Sequence, residues 1–213
     1  METPRSGLVV DGGVARCFWT GEHADLRLYH DREWGRPQAD DVRLFEKLCL
    51  EGFQSGLSWL TILRKREAFR SAFRGFELER VARFGPRDVE RLLGDAGIVR
   101  HRGKIEAALE NARRALELVA ERGSLAAYVW SFEPPPAERP RRLTRAALAR
   151  LTESPASRAL SKDLRRRGWR FVGPTTCYAF LQGVGVVNDH LEGCGTRDEV
   201  ERERKRFRVP GRK

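Results

Sequence analysis

The sequence predicts an all-α protein assembled from many short helices. Three observations carry this: apolar residues recur at three- and four-residue spacing along most of the chain, no run alternates with period two, and glycine and proline cut the pattern into short segments. Asp40 and Asp41 precede Leu44, Phe45, Leu48 and Cys49, which reads as a capped amphipathic helix. Gly52 and Gly56 bracket a break, and Ser58 can cap the next helix, which carries Leu60, Leu63, Phe69 and Phe73. Gly85-Pro86 punctuates again, before a short segment with Val89, Leu92 and Leu93. The clearest helix starts near Lys104, buries Ile105, Ala108, Leu109, Ala112, Leu116 and Val119, and stops at Gly123. PPPAERP (134–140) reads as a surface loop. Two short helices lead to Gly168, and a Gly173-Pro174 turn then enters another helix. From Glu199 onward the chain is so highly charged that it reads as a solvated helix or a frayed end.

A length of 213 residues with 40% apolar composition suits one domain with a core that needs no disulfides. The balance of 41 Lys+Arg against 30 Asp+Glu leaves +11, an excess that suits a polyanionic partner, nucleic acid or a membrane surface. Aromatics at 9% argue against global disorder. No apolar run approaches the roughly 18 residues of a spanning helix, and METPRSGLVVDGG lacks a signal-peptide stretch. The expectation is a soluble, cytoplasmic protein. Four cysteines without a C-x-x-C pair exclude a thioredoxin-like site and fit reduced, buried or metal-bound thiols.

Cys17 and His30 lie close in sequence, as do His190 and Cys194. Two such N/S pairs would make a tetrahedral Cys2His2 zinc set, structural because four protein ligands leave no open position. Ordinary buried cysteines and unrelated histidines fit the spacing equally well. Glu51 shares a helical stripe with Leu44 and Leu48, where a carboxylate is costly unless something meets it. Either the stripe ends there and Glu51 reaches solvent, or it is a pocket acid with Trp59 across the glycine-flanked loop. Trp19, Tyr29, Trp34 and Trp59 are core aromatics on the plain reading; beside a carboxylate they could also hold a flipped base or a flat cation. The Phe171–Thr176 turn follows Lys162, Arg165, Arg166, Arg167 and Arg170. It is a candidate phosphate cradle at a helix N-terminus, though Gly-Pro turns and solvated basic faces are common without that role.

Five stretches bear on the choice: YHDREWG (29–35), LCLEGFQSGLSW (48–59), DAGIVRHRGKIEAALENAR (95–113), LSKDLRRRGWRFVGPTTCYAFLQGVGVVNDH (160–190) and the GC that follows. Together they resemble the type I 3-methyladenine DNA glycosylases of the helix-hairpin-helix base-excision superfamily, from about Cys17 to Cys194. The resemblance implies a helix-hairpin-helix glycosylase fold with a structural zinc clip joining N- and C-terminal segments. It implies zinc on Cys17, His30, His190 and Cys194, a base pocket of Glu51, Tyr29, Trp59 and Trp19 with Glu51 as the catalytic group, and a DNA-gripping turn with Gly173, Thr175 and Thr176. Cys49 and Cys177 match no ligand position. The implied organisation is a flexible extension over 1–16, a glycosylase domain over 17–195 and a charged tail over 196–213. The implied activity is hydrolysis of the N-glycosidic bond of 3-methyladenine in double-stranded DNA containing alkylated purines, by a monomer that leaves an abasic site. No lysine is assignable as a Schiff-base nucleophile, and Asp189 is read as an orienter of His190. The Pro-rich loop, the first sixteen residues and the charged tail depart from the family pattern. A lesion-binding module without turnover and a basic, zinc-stabilised non-specific nucleic-acid binder are the competing readings; Glu51 argues against the first, and an unchanged Glu51→Gln variant would support the second.

Overall fold

In a computed structural model, residues 7–140 and 142–211 are described. The chain is mostly helical, as the periodicity predicts, with one addition: Leu8–Asp11 (β1) and Val14–Cys17 (β2) form an antiparallel hairpin. Its strands are too short to show alternation, and the signal lies in the turn, where Gly12 and Gly13 both take the positive φ that a two-residue hairpin connection requires. The described part of the N-terminal extension is therefore paired structure. Arg16 of β2 bridges to Asp31 at 2.7 Å, fastening the hairpin to the first helix.

Eleven helices follow among the described residues: α1 Ala24–Arg32, α2 Asp41–Gln54, α3 Trp59–Ala72, α4 Leu78–Ala82, α5 Pro86–Gly94, α6 Arg102–Arg122, α7 Leu125–Trp130, α8 Arg145–Arg150, α9 Pro155–Arg166, α10 Pro174–Gly183 and α11 Arg197–Arg206. The starts obey local chemistry. Asp40 and Ser58 accept from the backbone N–H groups of Arg43 and Thr61, capping α2 and α3. Asp41 accepts the amides of Leu125 and Ala126, so one carboxylate ties the start of α2 to the start of α7. Gly123, at φ +83°, ends α6.

Helix α2 occupies the centre, packed against α3, α6, α7 and α10. Leu44, Phe45 and Leu48 meet Ile105, Ala108 and Ala112 of α6 and Phe180 and Leu181 of α10 in one continuous core. Leu116 and Val119 are half-buried at its edge, not inside it. On α3 the buried stripe is Ile62, Phe69 and the following Phe73; Leu60 and Leu63, expected inside, lie off that stripe and are half-buried. A satellite cluster of Cys17, Leu143, Leu191 and Cys194 gathers the two ends of the chain. The charged tail is a docked helix: Val200 of α11 is buried, Glu203 pairs with Arg36, and Phe207 packs on Trp130 with ring centroids 4.5 Å apart. No helix among the described residues is long and apolar enough to cross a membrane.

Gly185 closes the core behind α10. It sits at φ +75°, and a Cβ there would lie 2.3 Å from the Arg36 carbonyl carbon. Gly185→Ala is expected to cost about 2 kcal/mol or more, since it adds backbone strain to a clash with main chain that cannot move aside. A urea midpoint equal to the native one would contradict this.

Candidate active site and metal corner

Consecutive residues of α1 serve two sites. Helical geometry turns successive side chains about 100° apart, so Tyr29 faces a cavity while His30 faces the satellite cluster. The cavity, of about 650 Å³, is lined by Trp19, Tyr29, Trp34, Glu51 and Trp59, and by Gln182 of α10. Trp19 lies 6.3 Å from Tyr29 and 5.0 Å from Trp34, and Tyr29 lies 5.2 Å from Trp59, centroid to centroid. All four residues predicted for the base pocket are therefore together. Glu51 is buried, which decides against the reading in which it reaches solvent. The Trp59 indole N–H is buried with no acceptor among the described residues.

Sequence reasoning missed Lys47. It stands one turn before Glu51 on α2, and its Nζ lies 2.6 Å from Glu51 Oε1. The ammonium donates to the Tyr29 hydroxyl at 2.7 Å and sits 3.5 Å from the centre of the Trp59 ring. Burial pulls the Lys47 pKa down while Glu51 resists. Burial and the Glu51 charge push the Tyr29 hydroxyl well above its usual range, so it remains a neutral donor. The i, i+4 spacing of Lys47 and Glu51 was the available signal.

Around the satellite cluster, the donor atoms of Cys17, His30 and Cys194 lie within 4.8 Å of one another, all buried. His190 stands beside them: its ring centre is 4.7 Å from that of His30, and its Nε2 is buried without a partner among the described residues. Both imidazoles are fixed through the other nitrogen, His30 Nδ1 by Asp31 and His190 Nδ1 by Asn188 Oδ1, each at 2.8 Å. That leaves Nε2 of each ring as the atom that can serve as a ligand; His190 lies outside the three-residue group, and two thiols with the His30 imidazole are zinc-type donors. A hydrogen bond from Cys17 holds the Cys194 thiol down at about 3 against burial, and the same bond pushes Cys17 up. Burial and the neighbouring His30 hold His190 at about 4, keeping it neutral. These residues fit a metal ion.

Asp189 does not orient His190. Its carboxylate accepts from the Tyr178 hydroxyl at 2.5 Å and from Gln182 Nε2 at 2.8 Å, pointing to the α10 side, and Asn188 takes the orienting role. Cys49 and Cys177 are buried away from the cluster, each with its thiol pushed up by burial.

The Phe171–Thr176 turn joins α9 to α10. Ser161 donates to the Val172 carbonyl at 2.7 Å, and Asn111 exchanges hydrogen bonds with the Arg170 backbone at 3.0 and 2.9 Å. Gly173 caps α10 with Pro174 in its first turn, so the amides of Thr175 and Thr176 lie at a free helix N-terminus. Arg166 and Arg167 are committed to Asp163 and Glu121, whereas Lys162, Arg165 and Arg170 are exposed without an ion pair among the described residues.

Comparison with known proteins fits this geometry. The methyladenine glycosylase family model matches residues 19–198. The chain is 46% identical over 182 residues to DNA-3-methyladenine glycosylase 1 of Escherichia coli (strain K12), covering 85% of this chain and 96% of that protein. It is 42% identical over 184 residues to a DNA-3-methyladenine glycosylase of Haemophilus influenzae, covering 85% and 97%. Among solved structures, 3-methyladenine DNA glycosylase I of Staphylococcus aureus, determined to show how it recognises 3-methyladenine, superposes with a TM-score of 0.79 at 36% identity over 85% of this chain and 96% of that one. The chain belongs to the methyladenine glycosylase family.

Proposed function

We propose that the protein is a monofunctional DNA glycosylase that hydrolyses the N-glycosidic bond of 3-methyladenine in alkylated double-stranded DNA, the first step of base excision repair. The observation that carries this is a buried carboxylate, Glu51, opening into a cavity walled by Trp19, Tyr29 and Trp59. Methylation at N3 makes the base cationic. When the bond to the sugar breaks, the electron pair goes to the base and neutralises it, water adds to the sugar carbon, and that water gives up a proton. The leaving group needs no protonation. The protein's task is to take the nucleotide out of the stack, at a few kcal/mol, and to reject normal adenine. A carboxylate among aromatic faces does the second, because a cation gains charge-assisted hydrogen bonding and cation–π attraction that a neutral base lacks. The unpartnered Trp59 N–H and the neutral Tyr29 hydroxyl add polar contacts near Glu51.

The α9–turn–α10 unit supplies the grip in this reading, as a helix-hairpin-helix element. Thr175 and Thr176 amides and the positive end of α10 would face a phosphate beside the exposed Lys162 and Arg165, holding the backbone without reading sequence. Cys17, His30, His190 and Cys194 would hold one structural zinc ion, which when bound joins the N-terminal hairpin to the C-terminal segment.

The test is chromatography of free bases released from methylated DNA by purified, zinc-loaded protein. The expected result is 3-methyladenine with little 7-methylguanine. The product strand should stay uncut until alkali is added, and borohydride should trap no covalent complex, because the Lys47 ammonium is engaged by Glu51 and Tyr29. Folded protein that releases nothing would point to a lesion-binding module.

A further inference from the structure

The base cavity shares a wall with a second cavity of about 410 Å³. Tyr29 and Trp59 line both; Glu51 lines the first, and Lys47 lines the second. The Lys47 ammonium therefore lies behind the aromatic wall, over the Trp59 ring and in direct contact with Glu51. The other carboxylates lining this cavity are already matched. Glu33, just past α1, is taken by Arg66 of α3, and Glu46 of α2 by Arg43 and Arg70. Glu51 is the carboxylate left to Lys47. Helix α10 contributes no charge here and leaves room: a Cβ on Gly183 would fall 2.2 Å from Lys47 Cε and 2.9 Å from its Nζ. The ammonium thus sits in a fitted cradle of tyrosine hydroxyl, indole face and glycine backbone.

We propose that Lys47 is a specificity-determining residue of the base pocket, a resident cation that shares Glu51 with the cationic base and so sets how strongly the pocket prefers positive bases to neutral ones. The inference rests on the base-pocket reading above. The carboxylate that attracts a cationic base is never free of positive charge, and an incoming cation meets the field of the ammonium through a single ring's thickness. Taking that charge away while keeping the side-chain volume sharpens the preference for cations.

The experiment is an NMR titration of native protein, Lys47→Met and Gly183→Ala with N-methylpyridinium and with its neutral isostere toluene. In Lys47→Met the ratio of the two Kd values is expected to move about tenfold toward the cation, as loss of a charge within a few ångströms requires at protein-like dielectric. Gly183→Ala keeps the charge but displaces it from the cradle, and is expected to move the ratio in the same direction by less. An unchanged ratio in both variants overturns the proposal, as does an equal loss of affinity for both compounds, which would make Lys47 a structural prop. Base release by the native enzyme judges the underlying reading separately. An enzyme that releases 3-methyladenine with an unmoved ratio refutes the role of Lys47 alone, whereas native protein that binds neither compound and releases no base refutes the pocket and this inference with it.

Discussion

In Glu51→Gln, release of 3-methyladenine is expected to fall by on the order of a hundredfold or more, while affinity for alkylated duplex DNA stays within about threefold of native. The size of the loss follows from Lys47. An amide at position 51 removes the charge that attracts the base and leaves the ammonium, bonded to Tyr29 and seated on Trp59, without its carboxylate. The pocket passes from an ion pair to a net positive site that opposes the substrate. Removing one partner of a buried pair is also costly to folding, about 3 kcal/mol, so activity is to be compared between samples of equal folded fraction by circular dichroism. The double variant Glu51→Gln/Lys47→Met is expected to regain most of that stability and none of the activity. Duplex affinity is expected to survive because the exposed cations proposed to face phosphate, Lys162 and Arg165, lie on α9 and do not line the base cavity. Base release near the native rate would remove Glu51 from the chemistry and leave phosphate contacts to explain the behaviour.

The second large effect concerns the metal corner. Cys194→Ala is expected to abolish stoichiometric zinc and to lower stability by about 4 kcal/mol or more, a fall in Tm of roughly 10 °C for a chain of this size. A strong chelator should do the same to the native chain. The donors come from the end of β2, from α1 and from the loop before α11, so loss of an ion held there would release the hairpin and the C-terminal segment together. His190 Nε2, already without a partner among the described residues, would remain buried and unsatisfied. Elemental analysis and scanning calorimetry measure both; one zinc per chain in Cys194→Ala would sink the ligand set.

The amphipathic helices were legible because their buried faces are long. Three and four-residue spacing places α2 and α6 directly, and Asp40 and Ser58 mark the starts of α2 and α3 by the same hydrogen bonds the structure contains. The hairpin was not, since four-residue strands give too little alternation to count. Helix α1 was missed for a related reason: its buried residues are Leu26, Tyr29 and His30, two of them polar-tipped and committed to sites. In the pocket, the carboxylate on an apolar stripe was visible, but its partner one turn earlier reads in sequence as an ordinary surface lysine. Near His190 the choice between Asn188 and Asp189 depends on side-chain direction, which adjacent positions in a loop do not encode. Pairing the two N/S sets across the chain needed the family resemblance, because spacing is silent about which distant segments meet.

His30 Nε2 and Cys194 Sγ meet across 164 residues of chain. At about 5–20 residues per second of synthesis, a nascent chain spends roughly ten to thirty seconds with its first thiol and imidazole made and their counterparts not yet translated. The corner is therefore among the last parts of the protein to form, closing a loop that nearly spans the molecule. A chain cut short before His190 would carry the aromatic wall and the carboxylate without the C-terminal donors, so an ion bound there would report that translation had passed Cys194.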